Sequence, residues 1–203
     1  MADVSNKNIN PFWSNVTAFG ALWGAMEITL GSFIHAMRFP FSGSLLAALG
    51  AAILVIQRQI LPMRGSSLAT GFVAAMCKSI SPGGIILGPM VAIATEGLLV
   101  EIALFFGQRS LLPAIMAGVL CALWSVCQKL LMHYVLYGWK VLELYFAAIV
   151  KAGDWMGMSA KAGWWSLTVF LGTISFIGAL GGLIGRRIGN DSRRRLIEKR
   201  SVI

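Results

Sequence analysis

The chain has 203 residues, of which 57% are hydrophobic and 12% charged, and its mean hydropathy is +0.76. A water-soluble domain carries about a quarter charged residues, so this composition excludes water as the main solvent. The net charge is +9, yet seven of the 17 basic residues lie between Arg186 and Arg200; a basic juxtamembrane tail answers to the positive-inside rule and to anionic lipid headgroups, not to nucleic acid as a partner.

Residues 1–15 contain a single lysine and lack the basic start and small-residue cleavage site of a secretory signal, so they read as a cytoplasmic N-terminal segment and the first apolar span is expected to stay. Val16 to Met37 is long enough to cross a bilayer and carries only Glu27 and His35 as ionisable groups; RFPFSG then turns the chain. Ser44 to Ile56 is short, so the second helix is expected to run on to Gln57 or Arg58 and to snorkel its end. Ser66 to Ile80 forms a third, also short, ended by SISPGG. Ile85 to Phe106 is the fourth and carries Glu96 and Glu101. Leu111 to Tyr137 is the fifth, with Pro113 in its tolerant first turn. The longest loop, 138–162, is rich in aromatics. In it Lys140, Glu143 and Lys151 oppose Trp139, Leu142, Phe146 and Ile149 at helical spacing, the pattern of an amphipathic helix in the interface. Gly163 to Gly185 has no ionisable residue and is the sixth span.

The expected fold is therefore an all-α membrane protein, with one six-helix transmembrane domain over 16–185 and a basic cytoplasmic tail over 186–203. Placing both termini on one side puts eleven Lys and Arg there against five opposite, which assigns both termini to the cytoplasm of a cell (inner) membrane. RFPFSG, SPGG and the aromatic loop then face outward.

Motif absences narrow the chemistry. There is no GxxxxGK[ST], HExxH or GxSxG, and aspartate occurs only at positions 3, 154 and 191. No catalytic residue, metal site or cofactor is expected. Cys77, Cys121 and Cys127 lie in apolar stretches without CxxC spacing and read as inert intramembrane thiols.

Ionisable residues inside apolar spans carry the signal, because each is costly at mid-bilayer unless paired, hydrated or turned inward. Glu27, Glu96, Glu101, Lys129 and His133 are such residues, whereas Lys78 and His35 sit near helix ends and can reach the outer interface. Ser125, Lys129 and His133 follow i, i+4, i+8 with Gln128 adjoining, which gives the fifth helix one polar face. Glu96 and Glu101 stand about 140° apart on their helix, so one belongs to a site and the other to structure; depth favours Glu96 for the site. Substrate-binding candidates are Glu96, Lys129, His133, Gln128 and Glu27, with Trp139 and Trp155 of the aromatic loop as stacking surfaces. An internal ion-pair network of Glu96, Glu27 and Lys129 fits the same residues. The site is expected toward the outer face, between helices 4, 5 and 6.

Small residues mark close helix approach: Gly20xxxGly24 and Ala21xxxAla25 in the first helix, Gly178xxxGly182 and Gly181xxxGly185 in the sixth. Glu27 lies about 200° from Ala25, so the alanine stripe and the glutamate look in different directions.

Chain length, six spans, Ala21-Leu-Trp-Gly-Ala25 and the passage from Ser81-Pro-Gly-Gly to Gly88-Pro89 together resemble, over residues 16–185, the S component of energy-coupling-factor vitamin transporters. That resemblance implies a substrate-binding membrane subunit that takes a small vitamin-like compound from outside. It also implies that Ala21 and Ala25 dock on a transmembrane scaffold subunit, with two ATPase subunits supplying the energy. Ligand charge stays open, since Glu96 suits a cation and Lys129 with His133 an anion. Two other classes fit the residues: a non-transporting membrane scaffold or assembly factor, and a self-sufficient small secondary carrier.

Overall fold

The computed structural model describes residues 10–37, 41–80, 87–141, 143–145, 147 and 162–201. Six helices are built from them: α1 Pro11–Ala36, α2 Ser42–Ile60, α3 Ser66–Lys78, α4 Leu87–Phe105, α5 Leu111–Tyr137 and α6 Ala162–Ser201. Five of these, α3 being the exception, are long and apolar enough to cross a membrane. At 1.5 Å per residue the 13 residues of α3 reach only about 20 Å, short of a hydrocarbon core of about 30 Å. The chain is thus an all-α, multi-pass membrane protein. Side chains that a soluble protein would bury point outward, among them Leu22, Phe33, Phe72, Val91, Phe176 and Ile184, each more than half exposed.

Several boundaries differ from expectation for identifiable reasons. α1 starts five residues before Val16, because Pro11 fits a first helical position and the Asn10 side chain accepts the Phe12 N–H at 3.0 Å. α5 matches its expected range. α6 does not stop at Gly185 but continues through the basic residues to Ser201, so the segment over 186–203, expected as a separate tail, is largely an extension of the last helix. Of the expected interfacial helix, Lys140, Val141, Glu143–Tyr145 and Ala147 have helical backbone; Trp155 and the rest of that loop lie outside the described residues.

The helices pack as two groups of three. α6 lies against both α2 and α5, which also touch each other, while α3 sits between α1 and α4. The groups meet through α4 on α5 and α1 and α4 on α2. α2 is central, with 13 of its 19 residues buried and contacts to all five other helices. Its Ala- and Gly-rich sequence makes that possible, since small side chains let several backbones approach at once.

Glycines set the closest approaches. On α6 the two small-residue motifs serve different neighbours: a Cβ at Gly178 or Gly182 would strike the α5 backbone at Gly118 or Ala114, while one at Gly181 or Gly185 would meet the Ala48 or Ala52 carbonyl of α2 at 2.5 or 2.7 Å. Gly189 continues the second series against Ile56 and Gln59, which ties the start of the basic segment to the bundle. Gly20 and Gly24 of α1 face Val73 and Cys77 of α3, leaving Ala21 and Ala25 exposed about 100° further round the helix.

The end of the bundle at Ile60 and Phe105 is closed by polar side chains. Arg58 does not snorkel as expected: it is fully buried, and its Nη2 donates to Glu101 Oε1 at 3.0 Å. Glu101 in turn accepts the N–H of Gly65 (2.7 Å) and of Ser67 (3.1 Å), so one carboxylate neutralises the guanidinium and caps α3. Arg58 Nη1 also donates to the Met63 carbonyl. Beside them Gln57 Nε2 donates to Thr70 (2.7 Å) and Asn15 (3.0 Å), and Gln59 Nε2 to the Gln108 carbonyl (2.6 Å).

Candidate functional site

At the opposite end a cavity of about 380 Å³ opens between the helix termini near Gly43, Gly88 and Tyr137. Among the described residues its walls come from α1, α2, α4 and α5, and none from α6. The expected site lay between the fourth, fifth and sixth helices; in this cavity the described lining includes α1 and α2 besides α4 and α5, while the glycine faces of α6 pack on α2 and α5.

Five of the seven expected substrate-binding residues line this cavity: Glu27, Glu96, Gln128, Lys129 and His133. Two antiparallel contacts fix their depths. The Gln128 amide donates to the Gly88 carbonyl near the mouth, and Cys121 Sγ–H reaches the Glu96 carbonyl at 3.7 Å near the floor. Glu96 is therefore deep, with Lys129 about 12 Å higher along α5 and His133 one turn above that.

At the floor Glu96 is 5% exposed, and its Oε2 has no hydrogen-bond donor among the described residues. Glu27 is 8% exposed and paired with Lys78, whose Nζ lies 3.9 Å from Oε2 and donates to the Glu27 carbonyl at 3.0 Å. Lys78 thus turns inward instead of reaching the interface. The alternative network joining Glu96, Glu27 and Lys129 is not present, because Lys78 takes Glu27 and no ion pair reaches Glu96 among the described residues.

On the wall, the Ser125 hydroxyl donates to the Ala122 carbonyl (2.8 Å) and so accepts from Ser44 at 2.9 Å. Lys129 Nζ occupies space that exists because residue 43 is glycine, where a Cβ would stand 2.8 Å away. His133 Nδ1–H donates to the Lys129 carbonyl at 2.7 Å, which leaves Nε2 as the acceptor of the neutral ring. Its ring stacks on Tyr137 with centroids 6.2 Å apart and meets Tyr145 edge-on at 5.9 Å.

Trp139 is not part of the lining; it is 65% exposed and packs edge-to-face on Tyr134. The aromatic groups at the mouth are tyrosines, and Tyr137 is the lining residue that the sequence reading misses. It extends the series Ser125, Lys129, His133 by one more step of four, so the periodicity that finds the others reaches it. Gly43 and Ser44 carry no signal of their own, since their part depends on α5 lying beside them.

Chemically the cavity offers an uncommitted carboxylate, an ammonium, an imidazole and apolar walls from Leu46, Ala47, Ala92 and Ile93. That is a binding set. Among the described residues no group of three or more His, Cys, Asp or Glu side chains is placed to hold a metal. Compared with family models, characterised proteins and solved structures, the chain matches none.

Proposed function

We propose that this chain is the substrate-binding membrane subunit of an energy-coupling-factor type importer. In this reading it captures a small, water-soluble, vitamin-like compound from outside the cell and passes it inward together with a transmembrane scaffold subunit and two ATPase subunits. In this reading the protein has six spans, counting the short α3, and both termini in the cytoplasm. The cavity mouth faces outward and the Arg58–Glu101 end faces the cytoplasm.

The observation that carries the reading is a cavity of small-molecule size that holds a buried carboxylate oxygen without a hydrogen-bond partner among the described residues. A pocket of about 300–1,000 Å³ with a few convergent polar groups is the usual form of a ligand site. The Arg58 and Glu101 charges at the other end are matched by each other, whereas no ion pair reaches Glu96 among the described residues. The exposed Ala21 and Ala25, turned away from Glu27, suit docking on another membrane helix.

Native mass spectrometry of the detergent-solubilised protein, followed by binding of a water-soluble vitamin panel, tests the first half. Retention or binding of a compound, lost on Glu96→Gln, is the expected result. A protein that binds nothing in the panel is instead a scaffold or assembly factor. Uptake by cells expressing this chain alone, abolished by a protonophore, identifies a self-sufficient carrier.

A further inference from the structure

Resting on the cavity being a ligand site, we infer that its ligand is bipolar: a cationic or donor-rich nitrogen group at one end, seated on Glu96, and an anionic group at the other, held by Lys129 and His133.

The two charges that the cavity leaves uncommitted are of opposite sign and at different depths. Glu27 is balanced by Lys78, the Ser44 and Ser125 hydroxyls bond each other, and the Gln128 amide is used on Gly88. What remains is Glu96 at the floor and Lys129 on the wall, and they do not pair with each other. Their backbones are just over two helical turns apart, near 12 Å. Because side chains lean toward the N-terminus of their own helix, Glu96 on α4 leans up toward the mouth and Lys129 on the antiparallel α5 leans down toward the floor. The gap between the charges is therefore shorter than the backbone offset and is filled by the cavity itself, walled there by Leu46 and Ile93.

A ligand carrying only an anion would leave Glu96, buried at the floor, without a partner, and one carrying only a cation would leave Lys129, exposed higher on the wall, unmatched. A ligand with both ends satisfies each. Gly43 bears on the same point, since any side chain there would displace the Lys129 ammonium from the wall. The His133 ring, one turn above Lys129 on the same face, is oriented by its Nδ1–H bond to the Lys129 carbonyl.

The test uses purified full-length protein in detergent, with thermal-shift screening and calorimetry against water-soluble vitamins, their precursors and amino acids grouped as cations, anions and bipolar compounds. The expected binders are bipolar. Their analogues lacking the amine or the acid should bind about tenfold or more weaker, the weight of one charge-assisted hydrogen bond. Glu96→Gln should weaken the parent by the same factor and leave the analogue without the amine unaffected; Lys129→Met should do the same for the acid end. A binder carrying one sign only, or variants that penalise parent and analogue alike, overturns the bipolar assignment while the ligand site stands. No binder in any group overturns the ligand site, and this inference with it.

Discussion

Arg58 and Glu101 meet at 3.0 Å across the junction of α2 and α4, 43 residues apart in sequence, and the same carboxylate accepts two backbone N–H groups at the start of α3. Removing either partner leaves a buried charge unmatched and, for Glu101, also uncaps α3. Arg58→Met or Glu101→Leu should each cost about 3–5 kcal/mol, read as a lowered thermal unfolding midpoint in detergent. The double variant should be less impaired than the sum of the singles, because neither charge is then left alone.

The glycines of α6 predict a contrast along one helix. Gly182→Leu drives a side chain into the Ala114 backbone and should separate α6 from α5, whereas a methyl group added at Gly172 would meet nothing within 4 Å. Gly172→Ala should raise stability by about 1 kcal/mol through helix propensity. Size-exclusion profiles and thermal midpoints of the two variants check this; equal behaviour would mean that the two faces of α6 are not packed as described.

Glu96→Gln should keep or raise the stability of the ligand-free protein, since it replaces an unpartnered buried carboxylate by a neutral amide of the same shape. A group that is structural loses stability on neutralisation, and one kept for a ligand loses binding instead. Thermal midpoints measured without added compound separate the two.

Ala21→Trp and Ala25→Trp place bulk on an exposed face on the far side of α1 from the cavity. Each should abolish uptake in cells that also hold the scaffold and ATPase subunits, while ligand affinity changes less than about twofold, within the scatter expected of a distant site. Loss of affinity in these variants would count against docking through this face.

Membrane character and the polar face of α5 are legible in the sequence because both depend on local quantities: span length, apolar content and the spacing of Ser125, Lys129 and His133. The range Leu111–Tyr137 is legible for the same reason. What a helix packs against is not local. Arg58 at the end of an apolar run reads the same whether it reaches for headgroups or for Glu101, and Lys78 the same whether it leaves the bundle or turns to Glu27. The glycine motifs of α6 announce close packing without naming two neighbours, so the sequence credits α6 with a wall of the cavity that α1 and α2 supply. Tyr137 lies within reach of the periodicity, but tryptophans in the adjoining loop offer the stronger compositional signal.

The grouping of the helices has a mechanical corollary. The cavity lies in the seam between the α2–α5–α6 trio and the α1–α3–α4 trio, and Arg58–Glu101 bridges that seam at the far end. Across the seam Gly50 of α2 meets Trp23 of α1 and Gly88 of α4 meets Met132 of α5, whereas the tight glycine contacts of α6 with α2 and α5, and of α1 with α3, lie within the trios. Tilting one trio against the other about the Arg58–Glu101 contact would widen the mouth like the free edge of a hinged cover while those interlocked faces move as blocks.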